Sequence, residues 1–168
     1  MTATPIPRTL TMTIYGDMDL SIIREKPNNR KPVKTYSKPE NKIDDVIQFV
    51  KKEIKQGNQI FWVCPLIEES KKIDHSSAVK KSEYLNKLFP KQVFLLHGKT
   101  TTEEKEMILN KFLKNEFKIL VSTTIIEVGI DFPNANVIII ENANKFGLSQ
   151  LHQLRGRVGR GSKESSCI

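Results

Sequence analysis

Residues 150–161, QLHQLRGRVGRG, hold three arginines, three glycines and two glutamines, with no acid to balance the charge. At about 100° per residue, a helix here would align Gln150, Gln153, Arg157 and Arg160 in one narrow stripe, with Leu151, Leu154 and Val158 beside it. The apolar stripe would hold the helix to a core and leave the polar one facing a ligand. Arginine carries a rigid fork of donors suited to phosphate, so the chemistry on offer is anion binding; a solvated basic surface helix is the plain alternative. Gly156 and Gly159 would each cost about 1 kcal/mol in a helix interior. They therefore predict a close approach by another surface, or a helix that ends near Gly161.

A second stretch, STTIIEVGIDFP at 122–133, follows a strongly apolar run. Ser122, Thr123 and Thr124 offer hydroxyls and backbone donors of the kind that contact nucleic-acid phosphates. Gly129 lets the backbone turn or approach a ligand, and Asp131 can accept from a ribose hydroxyl. The same residues also suit a strand, a turn and an ordinary aspartate cap. Other candidates carry less. Gly98-Lys99-Thr100 imitates the end of a phosphate loop, but Val93 stands where its first glycine belongs. His97 and Gly98 read instead as a strand exit. The adjacent acids Asp44–Asp45 and Glu68–Glu69 have no spaced His or Cys partners, and His75, His97 and His152 show no ligand spacing, so no metal site is expected. No serine sits in a G-x-S-x-G elbow. Thr2 to Arg8, TATPIPR, is a compact loop with one basic residue.

The elements that must position these residues alternate. Residues 1–39 are interrupted by Pro5, Pro7, Pro27, Pro32 and Pro39 and read as irregular or extended, with short strands near Ile14 and Val33. A helix marked by Ile43, Val46, Ile47, Val50 and Ile54 ends at Gly57. Strands are expected at 60–64, 93–97, 118–122 and 136–141, with a last one near Cys167. Residues 66–76 read as a polar loop, 77–89 as a helix, and Thr101 with Glu104 as the capping box of another. Apolar runs alternating with helices argue an α/β fold with a parallel sheet and helices on both faces. Ligands in such sheets sit at the carboxyl ends of strands, which singles out loops 64–70, 97–101, 122–131 and 141–149.

The 168 residues suffice for one domain with a real core. A net charge of +8 favours an anionic partner. The charge is uneven: residues 24–42 hold seven Lys or Arg against two Glu, and 145–163 hold five against none. Two cysteines make neither a disulfide framework nor a metal set, and fit a reducing, cytoplasmic setting. No apolar run approaches membrane-spanning length and nothing resembles a signal peptide.

Taken together, these motifs resemble the second motor lobe of superfamily 2 helicases, and within them the RecG type; the resemblance covers nearly the whole chain. FGLSQLHQLRGRVGRG at 146–161 is its most specific part, and WVCPLIEESK at 62–71 with Ser166-Cys167 favours RecG over the transcription-repair coupling factors, which share the arginine string. The resemblance implies a RecA-like lobe over 40–168 that stops in its last strand, preceded by a coupling loop and linker over 1–39. It implies that Arg157 and Arg160 act as arginine fingers on ATP, with Gln153, Gly129 and Asp131 near the nucleotide. Ser122, Thr123 and Thr124 would lie near the DNA backbone, and Thr2, Thr4 and Arg8 in the segment that couples the lobes. It also implies branched or duplex DNA as partner, together with a first lobe holding ATP and Mg²⁺. These 168 residues contain neither a phosphate loop nor the magnesium-binding acids, so no firm nucleotide binding and no ATP hydrolysis by the chain alone are expected. A non-enzymatic nucleic-acid or protein-binding module, or a remnant without a role, are the alternative functions.

Overall fold

The computed structural model describes residues 31–65, 71–123 and 132–168, with 71–77 as backbone only. Among these residues, six strands form one wholly parallel sheet: β1 (Lys34–Thr35), β2 (Gln59–Val63), β3 (Val93–Leu96), β4 (Ile119–Ser122), β5 (Ala135–Ile140) and β6 (Ser166–Cys167). Their order across the sheet is β1-β6-β5-β2-β4-β3. Every residue of the central strands β2, β4 and β5 is buried, which is why these strands read as continuous apolar runs rather than as alternating ones.

Side chains leave a strand alternately to either face, and the two faces build two cores. Ile60 and Trp62 of β2, with Cys64 just past it, pack with Val46, Ile47 and Val50 of α1 (Ile43–Lys55) and with Ala78 and Leu85 of α2 (Lys71–Leu88). Phe61 and Val63 pack with Leu109 and Phe112 of α3 (Thr102–Leu113), with Leu154 of α4 (Leu148–Arg155) and with Val158. Phe112 stands among three other rings, its centroid 5.3 Å from Phe61, 5.0 Å from Phe117 and 5.4 Å from Phe132. Helices thus cover both faces. None of the described helices is long and apolar enough to cross a membrane.

Local signals explain most boundaries. Asp44 and Asp45 begin α1, and Lys52 and Lys55 close it, each favourable to the helix dipole. Gly57 follows at φ +82, a left-handed turn suited to glycine. At the start of α3, Thr101 Oγ1 accepts from the Glu104 amide at 3.3 Å, and Glu104 Oε2 accepts from the Thr101 amide at 3.2 Å. Thr101→Ala should lower stability by about 1 kcal/mol, read as a shifted urea midpoint with unchanged slope.

Two boundaries differ from the sequence reading. Residues 71–76, expected in a polar loop, open α2; their run of Lys, Asp, His and Ser lacks an apolar period, so the helix was not legible there. The arginine helix ends at Arg155, with Gly156 as its C-cap, instead of near Gly161. Arg157 and Arg160 are therefore not on a helical stripe with Gln150 and Gln153. The Gln150 side chain has a different task, accepting the Gly147 amide at 3.0 Å at the start of α4.

Candidate functional site

The expected site residues separate into two groups. Ser122 ends β4 at the carboxyl edge of the sheet, where its carbonyl accepts the Cys64 amide at 2.9 Å. Both Ser122 and Thr123 are buried, so they anchor the segment that follows rather than present a surface. Thr124, Gly129 and Asp131 lie outside the described residues, as do Thr2, Thr4 and Arg8.

The arginines lie elsewhere. In a parallel sheet, a helix that follows one strand must return to the opposite edge before the next begins, and α4 does so between β5 and β6. By Gly161 the chain has reached the amino edge, where a Cβ on that residue would sit 3.0 Å from the Pro133 carbonyl oxygen. Lys163 Nζ donates there to Asn58 Oδ1 at 3.3 Å, just before β2. Arg157 and Arg160 occupy the turn between the end of α4 and this edge. Ser122 and Thr123 thus lie at the carboxyl edge where ligand loops were expected, and the arginines do not.

Arg157 is only 8% exposed, and its Nε and Nη1 are buried without a hydrogen-bond partner among the described residues. Burial holds its guanidinium pKa below the ordinary value, and the nearby charge of Arg160 adds to the effect. A buried guanidinium is costly without an acceptor, so the acceptor has to come from outside the described residues. Arg160 is partly exposed, and its Nε donates to the Gly156 carbonyl at 3.2 Å, which folds the side chain back over the C-cap. Gln153, half-buried, lies in the last turn of α4, four residues before Arg157. Gly159 is the pivot of the turn, with φ +77, and a Cβ there would stand 2.7 Å from Val33 Cγ2. Of the two explanations raised for the glycines, Gly156 marks the helix end and Gly159 marks the close approach.

His97 makes an ordinary turn with the following residues. Its Nδ1 accepts the Lys99 amide at 3.1 Å, and its amide donates to Thr100 Oγ1 at 3.2 Å. That is the strand exit expected of His97 and Gly98.

One group at the carboxyl edge escaped the sequence reading. Glu141, just past β5, accepts from Lys81 Nζ at 2.6 Å, both side chains being about a fifth exposed. The Cys64 thiol donates to Glu141 Oε2 at 3.6 Å, and the Lys81 ammonium stands 5.6 Å from the ring centroids of both Trp62 and Tyr84. Glu141 is the single acid between residues 132 and 163 and directly follows a buried strand, which was the available signal. Desolvation, then the charge and hydrogen bond of Glu141, push the Cys64 thiol up from 9.0 to about 12. An unfolded thiol gives up its proton near 9.0 while the folded one keeps it to about 12, so this group favours the fold less as pH climbs through that window. Stability should fall over that window, and native Cys64 should resist iodoacetamide at pH 8 while the urea-unfolded chain reacts.

Comparison with known proteins agrees with this architecture. Residues 41–162 match the helicase conserved C-terminal domain. The chain is 50% identical, over its full length, to 25% of the ATP-dependent DNA helicase RecG of Bacillus subtilis strain 168. It is 51% identical, again over its full length, to 22% of RecG from Thermotoga maritima. It thus spans a quarter or less of the curated relatives it matches. A solved structure of RecG bound to a three-way DNA junction superposes with a TM-score of 0.78 at 48% identity, covering 98% of this chain and 21% of that one. Saccharomyces cerevisiae Dbp5 bound to RNA and ADP–BeF₃ shares the fold at 19% identity, with a TM-score of 0.65 over 99% of this chain and 43% of that one. The chain belongs to the helicase conserved C-terminal domain family, in its RecG-type form.

Proposed function

We propose that this chain serves as the second motor lobe of an ATP-dependent helicase acting on branched DNA in recombination and repair, and that it works only against a first lobe. The observation that carries this reading is Arg157, whose buried guanidinium has two donors, Nε and Nη1, without a partner among the described residues, next to Arg160 in a turn of the RecG-type sequence. Phosphoryl transfer spreads negative charge over the oxygens of the departing group, and arginine fingers placed from across a cleft stabilise that charge. Arg157 and Arg160 are assigned to the ATP phosphates, with Gln153, Gly129 and Asp131 on the nucleotide side of the lobe. Ser122 and Thr123 hold the start of the segment from which Thr124 reaches the DNA backbone, and Thr2, Thr4 and Arg8 couple the two lobes.

ATP and Mg²⁺ would be held by the first lobe, since these 168 residues contain no G-x-x-x-x-G-K-[ST] loop. The chain contributes charge, a DNA-facing edge and a closing surface. Closure of the cleft around nucleotide then gates movement along DNA.

The test is reconstitution. The pure chain should not turn over ATP with Mg²⁺ and branched DNA. Adding the first lobe of a RecG relative that has been deprived of its own second lobe should restore DNA-stimulated hydrolysis. Turnover by the chain alone, or no turnover from a complex shown to form, would remove the assignment.

A further inference from the structure

Three lysines of the first basic stretch and one of the second meet in space. Lys31, Lys34 and Lys38 from the first and Lys163 from the second line one open groove of about 870 Å³ beside the β1–β6 edge, and Lys52 of α1 lines it too. All five lysines are exposed. Three acids share the groove, but two are engaged: Glu164 Oε2 accepts from Lys34 Nζ at 2.8 Å, and Glu53 Oε2 accepts from Asn58 Nδ2 at 2.7 Å. With the Lys34–Glu164 pair set aside, four ammonium groups face two carboxylates, Asp45 and Glu53.

Under the groove lies a rigid polar network. Asn136 is fully buried; its Nδ2 donates to Asn58 Oδ1 at 2.9 Å and its Oδ1 accepts from Ser165 Oγ at 3.4 Å. Lys163 is tied to the same Asn58 Oδ1. Tyr36 lines the groove with 49% of its surface exposed, while its backbone amide is fixed to the Cys167 carbonyl at 2.8 Å.

We infer that this groove is a second nucleic-acid surface, built for a single strand and separate from the carboxyl edge at which Ser122 ends β4. Lysines spaced along a channel neutralise successive phosphates and release their counterions. An exposed ring fixed at the backbone gives an unstacked base a platform, the combination that holds single strands without sequence preference. A duplex has no free base face to offer Tyr36, which is why the strand is favoured over the helix. The inference does not use the arginines: it rests on the lysines, the ring and the network beneath them.

The experiment titrates the 168-residue chain against a labelled oligothymidylate and follows anisotropy between about 50 and 200 mM salt. Trp62, the sole tryptophan and fully buried, reports through its emission that each variant is folded. Lys38→Glu with Lys52→Glu should weaken binding roughly ten-fold or more and reduce the slope of log affinity against log salt by about 1.4, two phosphates at about 0.7 each. Tyr36→Ala should weaken it about five-fold or more and leave the slope unchanged. Lys87→Glu with Lys114→Glu makes the same change in net charge on exposed lysines elsewhere and should alter affinity by less than about two-fold, as screening predicts for distant charges. The inference is overturned if the oligomer does not bind, if the two double variants weaken it equally, if Tyr36→Ala has no effect, or if a duplex of equal length binds more tightly. None of these outcomes bears on Arg157 and Arg160, which are read through ATP turnover.

Discussion

Arg157→Met is expected to stabilise the isolated chain while abolishing turnover in the reconstituted motor. The substitution keeps an unbranched, flexible side chain, shorter than that of arginine, and removes a guanidinium whose Nε and Nη1 are buried without partners among the described residues. Leaving such donors unsatisfied costs about 1–3 kcal/mol, more when charged, so a flexible apolar replacement should raise the urea midpoint by a corresponding amount. Loss of an arginine finger lowers turnover by roughly 10³–10⁵. The opposed signs make the result diagnostic, because an arginine kept for the fold would lose stability and activity together. Arg160→Ala should cause a comparable loss of turnover with little change in stability, since that side chain is only partly buried. A destabilised Arg157→Met chain would mean that the guanidinium already has its acceptor inside the fold, and the phosphate assignment would fail.

The second large effect is expected at Gly159. Alanine there must adopt φ +77 and place its Cβ 2.7 Å from Val33 Cγ2. The left-handed backbone costs about 1–2 kcal/mol for a residue with a Cβ, and overpacking typically adds about 1–3 kcal/mol. Gly159→Ala should therefore lose about 2–5 kcal/mol, read by urea unfolding. Val33→Ala opens space for the new methyl but cannot change φ, so the double variant should recover the packing part alone. Full additivity of the two changes would show that Val33 and Gly159 do not press on each other. The contact also matters for the site. Val33 immediately precedes β1, whose Lys34 amide donates to the Ser165 carbonyl at 2.9 Å. The arginine turn is thus held between the end of α4 and the strand that follows the proline-rich start of the chain. Displacing it by a few tenths of an ångström should cost the reconstituted motor more turnover than the stability loss alone explains, since positioning errors are expensive in phosphoryl transfer.

Much of the architecture could be read directly from residue order. Buried central strands have no wet face, so β2, β4 and β5 appear as unbroken apolar runs, and their alternation with helical segments implies parallel pairing. Caps are local chemistry, which is why Thr101 with Glu104 and the stop at Gly57 were visible. The amino-terminal turns of α2 were not, because a polar run carries no period and that helix is fixed by packing further along, at Ala78 and Leu85.

For the site, the sequence by itself determined the chemistry: two arginines among glycines, a Ser-Thr-Thr segment after a buried strand, and a strong excess of positive charge. Only the tertiary structure decided where that chemistry points. It ended the arginine helix at Arg155, carried Arg157 and Arg160 towards the edge opposite Ser122, and buried one guanidinium without a described partner. It joined Lys81 to Glu141 across elements and brought Lys163 to the same groove as Lys31, Lys34 and Lys38. The physical reason is range. Capping, periodicity and turn preference act over a few residues and leave a mark in the sequence, whereas burial, charge pairing and edge placement depend on which segments the sheet order brings together.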